Sequence, residues 1–477
     1  MQTTRRNFVT SLSMAAMALP GRKVIGANSR VNLGFIGTGG RGSGHVRHFN
    51  NLKDVATLGV CDADINRAQA AANKHKDAVV TVDMQDVCGH PDIDAVVVST
   101  TNHWHALASI WAIEGGKDVY VEKPVSHNIW EGRQLVQAAR KHNRIVQGGT
   151  QQRSCPMQAE AKAFIDANLG KLKSVRCNRY GVRGSIGKRD TPLTPPKEVD
   201  YNQWLGPAQD IPIFRQKFHY DWHWDFNCGN GELGNWGPHL LDDLRNVIFR
   251  DKYAYPEKVM SGGGRLAWFD AGTSPNTHFT YMEVNGIPVI VDVHNLPMQK
   301  GIKGNDVYRK FKTRAFLVAE YENGRYEGGR GGANAYDKDG KKIKTFAGDA
   351  GRNHAQNFLD CVRSRKREDL NAEIEEIHYS SAWCHLGNIS YLLGKKYNED
   401  EARSRMKDSP EWQMVLDDFH HHAKKNEIDF SKEDVRMGPM LHVDSKRETF
   451  TGATATQEAL RLLTREYRNG FAVTRQA

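Results

Sequence analysis

The sequence predicts an α/β chain that opens with a doubly wound parallel sheet, and three observations carry that expectation. A β-rich run, Val31 to Ile36, leads at once into the glycine-rich segment Gly37-Thr38-Gly39-Gly40-Arg41-Gly42. Beyond it, short continuous apolar runs alternate with segments of helical spacing. The second apolar run, Ala56 to Cys61, closes on an acid, Asp62, twenty residues past Gly42. Strands apolar on both faces, separated by helices, belong to a parallel sheet covered on both sides.

The elements follow in order. Gly37 permits the tight turn after the first strand, Gly39 lets the backbone approach a pyrophosphate, and Gly42 allows close helix–strand packing. Gly40 and Arg41 complete the loop, and a helix is expected from near Ser43, its positive end facing the phosphates. Strand, glycine loop and helix in this order form a dinucleotide fingerprint. Asp62 would bind the ribose hydroxyls and repel a 2′-phosphate, which selects NAD in preference to NADP; Arg67 nearby blunts that choice. Ala95 to Val98 reads as a strand, Leu107 to Glu114 as a helix, and Asp118 to Val121 as a strand. Glu131 to His142 is a further helix and Arg144 to Gln147 a last strand. A Rossmann domain is expected over 30–152, with 153–477 left for substrate binding and oligomerisation.

Composition narrows the class. The chain has 477 residues, 39% hydrophobic and 26% charged, with seven dispersed cysteines and no Cys-x-x-Cys pair. That excludes a disulfide scaffold. No apolar run reaches the ~20 residues of a membrane span. Arg5-Arg6 ahead of a short apolar stretch, Phe8 to Leu19, reads as a twin-arginine export signal over 1–29, so a periplasmic location is expected. Setting aside its four positives (Arg5, Arg6, Arg22 and Lys23) reduces the net charge from +10 to +6. No basic run survives to call for nucleic acid, and no membrane insertion is expected.

Ligands bind such sheets beyond the carboxyl ends of the strands. One end presents Thr100, Asn102, Trp104 and His105; the next presents Glu122, Lys123 and Pro124, and Gln151 follows the last strand. These residues, Pro124 apart, are assigned to the cofactor. Glu122-Lys123-Pro124, the Asn102-x-x-His105 loop, the block Gly229 to Asp242 containing Asn235 and His239, and the run from His354 to Ser364 together resemble the Gfo/Idh/MocA oxidoreductases.

That resemblance implies a C-terminal α+β domain with a large, mostly antiparallel open sheet, and a homo-oligomer, dimer or tetramer, formed through its exposed face. It also implies that His239 is the base removing a hydroxyl proton and that Lys123 polarises the reacting oxygen. Family members often carry Asp where this sequence has Asn235. Asn235 is kept in the catalytic set, and Asp242 or Asp243 is the candidate replacement acid. Runs such as Ser174 to Tyr180 and Val289 to His294 are consistent with strands of that sheet.

For the substrate, the segment His219 to Asp225 sets Trp222 and Trp224 among carboxylates and imidazoles, a combination suited to a sugar's apolar faces and hydroxylated rim. Tyr180, Arg183 and Asp242 join them as candidates, with Lys188 a weaker one. No metal is expected. His103-x-His105 lacks further ligands, and His420-His421-His422 reads as a solvated helix face. Thr456 to Tyr467 reads as a docked helix.

The expected activity is NAD(P)-dependent hydride transfer at a hydroxyl carbon of a sugar, polyol or glycoside. Two alternatives stand beside it: an NAD-dependent glycosidase that oxidises transiently and eliminates, and a non-catalytic sugar-binding protein with a relict Rossmann fold.

Overall fold

A computed structural model describes residues 30–302 and 315–476. The expected export signal at 1–29 lies outside the described residues.

The first sheet has six parallel strands: β1 (Val31–Ile36), β2 (Val55–Cys61), β3 (Val79–Thr81), β4 (Ala95–Val98), β5 (Asp118–Val121) and β6 (Val146–Gly148). Their order is β3-β2-β1-β4-β5-β6, so the chain reverses direction across the sheet between β1 and β4, the switch point where doubly wound folds bind ligands. The connecting helices are α1 (Gly40–Asn50), α2 (Ile65–Ala72), α3 (Met84–Cys88), α4 (His105–Glu114) and α5 (Ile129–Lys141). α1 begins at Gly40 rather than near Ser43, with Gly39 as its cap. β6 begins later than expected because the Arg144 amide still closes the α5 turn on the Ala139 carbonyl.

Among the described residues the second sheet has twelve strands and is antiparallel except for one pair. Its main path runs through β7 (Leu172–Tyr180), β8 (Lys258–Gly264), β9 (Thr277–Val284), β10 (Ile287–His294), β11 (Ala315–Tyr321), β12 (Gly324–Gly329), β13 (Gly332–Asp337) and β14 (Lys342–Ala347). The exception is β7 beside β10, in parallel register Val175 to Val289. α6 (Pro156–Asn168) lies between the sheets in sequence, and α7 (Tyr201–Leu205) and α8 (Gly231–Asp243) fall between β7 and β8. One face of the large sheet packs on α8 and on α10 (Ile374–Leu392), which follows α9 (His354–Ser364).

Two packing features escaped the local reading. Phe358, Leu359 and Val362 of α9 complete a core with Val31, Leu33, Phe35 and Tyr120, so one face of the parallel sheet is finished by residues some 200 positions downstream. Beyond α11 (Glu399–Ser404), α12 (Pro410–Lys425) buries Trp412, Leu416 and Phe419 against the outer face of the large sheet. This corrects the solvated reading of the triple histidine. His422 is buried, its ring 2.6 Å from that of His294 and hydrogen-bonded to the Pro297 carbonyl, while His421 is exposed.

The C-terminal expectation also changes. α13 spans only Gln457–Arg461, and the rest docks as an extended strap. Tyr467 donates to Glu131, Phe471 packs edge-on against Trp104, and the Gln476 amide bonds Gln134. Apolar spacing was right about docking, but the strap bonds to the parallel-sheet half through Glu131 and Gln134 and to the 202–227 segment through Arg465 and Arg468, instead of continuing as a helix.

Candidate active site

A cleft of about 620 Å³ opens at the carboxyl ends of β1, β2, β4 and β5, with α8 and the 183–223 loop forming its other wall. At its cofactor end Gly37 adopts φ 82°, and a Cβ on Gly42 would stand 1.8 Å from the Gly37 carbonyl oxygen. Gly42 therefore holds α1 against the turn without lining the cleft. Gly40 faces open space, and α1 starts with no side-chain cap and no acid in its first turn. Its first N–H groups are left for a ligand, as an anion-binding helix start requires.

Asp62 accepts the Thr38 amide at 2.7 Å and the Asp64 amide at 3.0 Å. Burial pushes its carboxyl above the ordinary value, and these two donors oppose the shift. Arg67 stands over Gly39, close enough that a Cβ there would lie 2.7 Å from its guanidinium. Gly37, Gly39, Gly40, Arg41 and Asp62 all line the cleft, as expected.

The β4 and β5 ends are tied together. His105 sits between the Pro124 and Thr100 carbonyls at 2.6 and 3.2 Å. Burial lowers its pKa, so the neutral ring donates to one of them, the nearer Pro124. The Trp104 indole donates to the Trp204 carbonyl at 3.1 Å. Glu122 accepts from Arg41 at 2.9 Å and lies 2.7 Å from His45. Burial alone would raise its pKa, but Arg41 and His45 hold it well below the usual carboxylate range. Gln151 reaches Tyr120 and Glu122 at 3.2 and 3.4 Å. Thr100, Asn102, Trp104, His105, Glu122, Lys123 and Gln151 line the cleft.

Four buried polar atoms on this lining have no partner among the described residues: Ser99 Oγ, Asn102 Oδ1, Gln203 Oε1 and His239 Nδ1. Buried polar atoms are rarely left unpaired. With the glycine cradle and the open helix start, they make a donor and acceptor set that fits a dinucleotide and a hydroxylated ligand beside it.

Lys123, joined to Pro124 by a cis peptide bond, reaches across the cleft. Its ammonium donates to Asn235 at both the backbone carbonyl, 2.6 Å, and Oδ1, 3.1 Å. Burial lowers its pKa to about 8, against the opposing pull of Glu122 and Glu232. Asn235 in turn donates to Glu232 at 3.1 Å. Glu232 is buried, takes Arg179 and Arg183 at 3.1 Å each, and is held below the usual range by those two despite its burial.

Glu232 is therefore the acid of this site, and sequence reasoning missed it although it lies in the same motif one helical turn before Asn235. The expected replacements serve elsewhere. Asp242 is fully buried, accepts Arg153 and Ser380, and does not line the cleft, which corrects its assignment to the substrate. Asp243 accepts Gln158 at 2.7 Å, and burial pushes its carboxyl up to about 7. His239 lines the cleft next to Trp236. Burial, Arg330 and Lys123 drive its pKa well below the imidazole value, so it stands neutral.

At the substrate end, Trp222 and His223 stack at 3.7 Å with planes 19° apart. Tyr220, half exposed, is held at φ 66°, a left-handed conformation that costs a tyrosine and marks a constrained wall. Arg183 lines the cleft and donates to the Tyr220 hydroxyl at 3.3 Å. Two other substrate candidates do not line it. Trp224 is buried behind the wall, its ring under the Arg183 guanidinium. Tyr180 is fully buried and donates to Asp292 at 2.9 Å. Strand alternation explains the latter, since Arg179 turns to Glu232 and its neighbour must take the opposite face. Lys188 stands over the exposed Phe269 ring, also off the cleft. Tyr220 and His223 line the cleft from the segment offered for the substrate, and Trp236 and Arg330 are cleft residues that the sequence reading had not singled out.

Two family models match the chain. One is described as an oxidoreductase family, NAD-binding Rossmann fold, over residues 31–150. The other is the C-terminal alpha/beta domain of the same family, over 184–320. An inositol 2-dehydrogenase 1 from Saccharopolyspora erythraea is 33% identical over 190 residues, 38% of this chain and 56% of that protein. A glycosyl hydrolase family 109 protein from a Shewanella species is 36% identical over 189 residues, 36% of this chain and 38% of that protein. The matched part thus spans little more than half, or less, of these curated relatives. Among solved structures, the Bordetella pertussis WlbA dehydrogenase with NADH and UDP-GlcNAcA is similar at TM-score 0.55 and 16% identity, covering 75% of this chain and 95% of that one. A levoglucosan dehydrogenase with NADH and levoglucosan has TM-score 0.53 and 18% identity, covering 74% and 97%. At those identities the likeness is one of fold.

Proposed function

This chain belongs to the Gfo/Idh/MocA oxidoreductase family, whose two models together match more than half of it, and from that premise we propose that it moves hydride between a carbohydrate or polyol hydroxyl carbon and NAD. The observation that carries this reading is Lys123, buried and bonded to Asn235 across the cleft, with neutral His239 on the same lining. Bound nicotinamide supplies the hydride acceptor. The residues do the rest.

Their electrostatics exchange the two roles that the family resemblance implies. Imidazolium at His239 is disfavoured by burial and by two neighbouring cations, so His239 orients the hydroxyl by accepting or donating a hydrogen bond. Lys123, lowered to about 8, is matched to take the hydroxyl proton near physiological pH. Asn235 aims the amine, and Glu232 fixes Asn235. Trp222 and Trp236 offer flat apolar faces for a sugar ring. The test is purified protein with NAD and a panel of sugars and polyols, followed by absorbance of reduced cofactor. Reduction that disappears in Lys123→Ala supports the reading; no reduction with any of them counts against it.

A second reading, the NAD-dependent glycosidase, is favoured by the 36% identity to the glycosyl hydrolase family 109 protein. Aryl glycosides separate the two, since release of the phenol without accumulated reduced cofactor selects the glycosidase. The non-catalytic alternative is weakened by Asn235, which stands where family members often carry Asp yet still holds the Lys123 ammonium. Two further parts of the proposal rest on sequence. Export to the periplasm is supported by Arg5-Arg6 and is tested by fractionating cells that express Arg5→Lys with Arg6→Lys. A homo-oligomer, dimer or tetramer, is supported by the family resemblance and is tested by light scattering.

A further inference from the structure

The turn between β12 and β13 reads Gly328-Gly329-Arg330-Gly331-Gly332, so five residues carry a single side chain beyond hydrogen. Gly331 sits at φ 102°, which the tight tip requires. The hairpin is pinned on both sides: Gln152 donates to the Gly329 carbonyl at 3.2 Å, and the Gly348 amide donates to the Gly331 carbonyl at 3.2 Å. A held backbone thus presents one guanidinium to the cleft, beside His239, with its Cζ 5.7 Å from the Trp236 ring centre.

The other cations of the lining are already engaged. Arg41 meets Glu122 at 2.9 Å, Arg67 meets Asp64 at 3.5 Å, and Arg183 meets Glu232 at 3.1 Å. Lys123 is held by Asn235. Arg330 has only a long bond of 3.4 Å to the Gln151 amide oxygen, and no carboxylate of the described residues pairs with it. Asp243 contributes to its field, yet that carboxylate takes Gln158 instead. Arg330 is exposed to the cleft and shares it with two like charges, Arg41 and Lys123. Asp243 and Glu122 offset part of that repulsion without pairing with Arg330, and a ligand that brings negative charge relieves the rest. Pyrophosphate already has its place at the glycine loop and the α1 start. Beside His239 and the Trp236 ring, the anion belongs on the molecule whose hydroxyl reacts.

We propose that the substrate of this cleft is a sugar acid, a uronate or an aldonate, and that Arg330 receives its carboxylate. A planar guanidinium pairs with both carboxylate oxygens at once, which fixes the orientation of the sugar as well as its affinity. The proposal rests on the hydride-transfer reading above for its chemistry, but not for the binding it predicts.

The experiment uses the full chain with NAD and two matched sets: D-glucuronate, D-galacturonate and D-gluconate against D-glucose, D-galactose and D-glucose 6-phosphate. At least one acid should be preferred over its neutral counterpart in kcat/KM by about ten- to a hundredfold, the range of a hydrogen bond to a charged group. Arg330→Gln should remove that preference through KM, Arg330→Lys should restore part of it, and NAD affinity measured by calorimetry should stay within twofold. Equal use of neutral sugars with no effect of Arg330→Gln overturns the sugar acid while leaving hydride transfer intact. A preference for the phosphate overturns the carboxylate. Weaker NAD binding in Arg330→Gln with unchanged sugar selectivity assigns Arg330 to the cofactor and also overturns it. If no sugar is oxidised, calorimetry with the three acids decides: binding lost in Arg330→Gln upholds the site and sinks the hydride reading, whereas no binding to the NAD-loaded protein sinks the site.

Discussion

The Lys123 ammonium donates to Asn235 twice, at the carbonyl and at Oδ1, and so joins the end of β5 to the middle of α8 across 112 residues of sequence. An amide, not a carboxylate, receives this ammonium, with the charge of Glu232 one bond further away. A carboxylate in direct contact would hold the proton more firmly on the amine. The amide leaves the lowering by burial largely in force.

The pH dependence of oxidation follows from that geometry. Lys123 must lose its proton before it can accept one, so activity should rise with pH through about 8 and level off above it. Asn235→Asp adds a negative charge at the ammonium, raises the lysine pKa, and should move this limb upward by about one unit or more. A pH profile of kcat/KM for both proteins checks it; an unmoved limb assigns the titration to another group.

Gly42 has no room for a methyl group. Its Cβ would lie 1.8 Å from a backbone oxygen and 2.8 Å from the Gly37 carbonyl carbon, where no side chain can yield. Gly42→Ala should cost about 1–3 kcal/mol of stability and weaken NAD binding by more than tenfold, because α1 must move away from the turn. Denaturant titration and calorimetry measure the two effects. Gly40→Ala, which meets nothing within 4 Å, is the control with a smaller change in both.

On the proposed reading, Asp62 selects between the two dinucleotides through its charge. Asp62→Asn keeps an acceptor for Thr38 but removes the repulsion of a 2′-phosphate, and Arg67 stands close enough to attract one. The ratio of kcat/KM for NADP to that for NAD should rise by about tenfold, or ~1.4 kcal/mol. An unchanged ratio would show that Asp62 serves only the turn.

Asp242 separates stability from catalysis. It is fully buried and takes Arg153 and Ser380, so Asp242→Asn should destabilise the protein by on the order of 3 kcal/mol, the usual result of leaving a buried charge short of its partner. Substrate KM at a temperature where the variant is folded should not move. A raised KM with unaltered stability would return Asp242 to the substrate.

The cofactor half of the cleft was readable because its causes are local. Gly37 is forced by the turn and Gly42 by its close approach to Gly37, both within a few residues, and Asp62 ends the neighbouring strand. The substrate half was read less well for the opposite reason. Tyr180, Trp224 and Asp242 have the right chemistry in the right segments, yet each turns to a partner from elsewhere: Asp292, Arg183 and Arg153. Side-chain direction on a strand or helix is set by what packs on either face, and composition does not carry that.

The sequence by itself determined the parallel sheet and the glycine loop, since each rests on short-range geometry, while the shared site of Lys123 and the Asn235–His239 segment was implied by the family resemblance of their motifs. Only the tertiary structure decided that Glu232 is the acid behind Asn235, that Asp242 is a buried strut, and that Arg330 faces the cleft without a carboxylate partner. Those outcomes depend on which charges end up within a few ångströms and out of water, where a pairing or its lack is worth far more than at the surface. The large sheet brings together residues from 172 to 450, and no local pattern records which of them will meet.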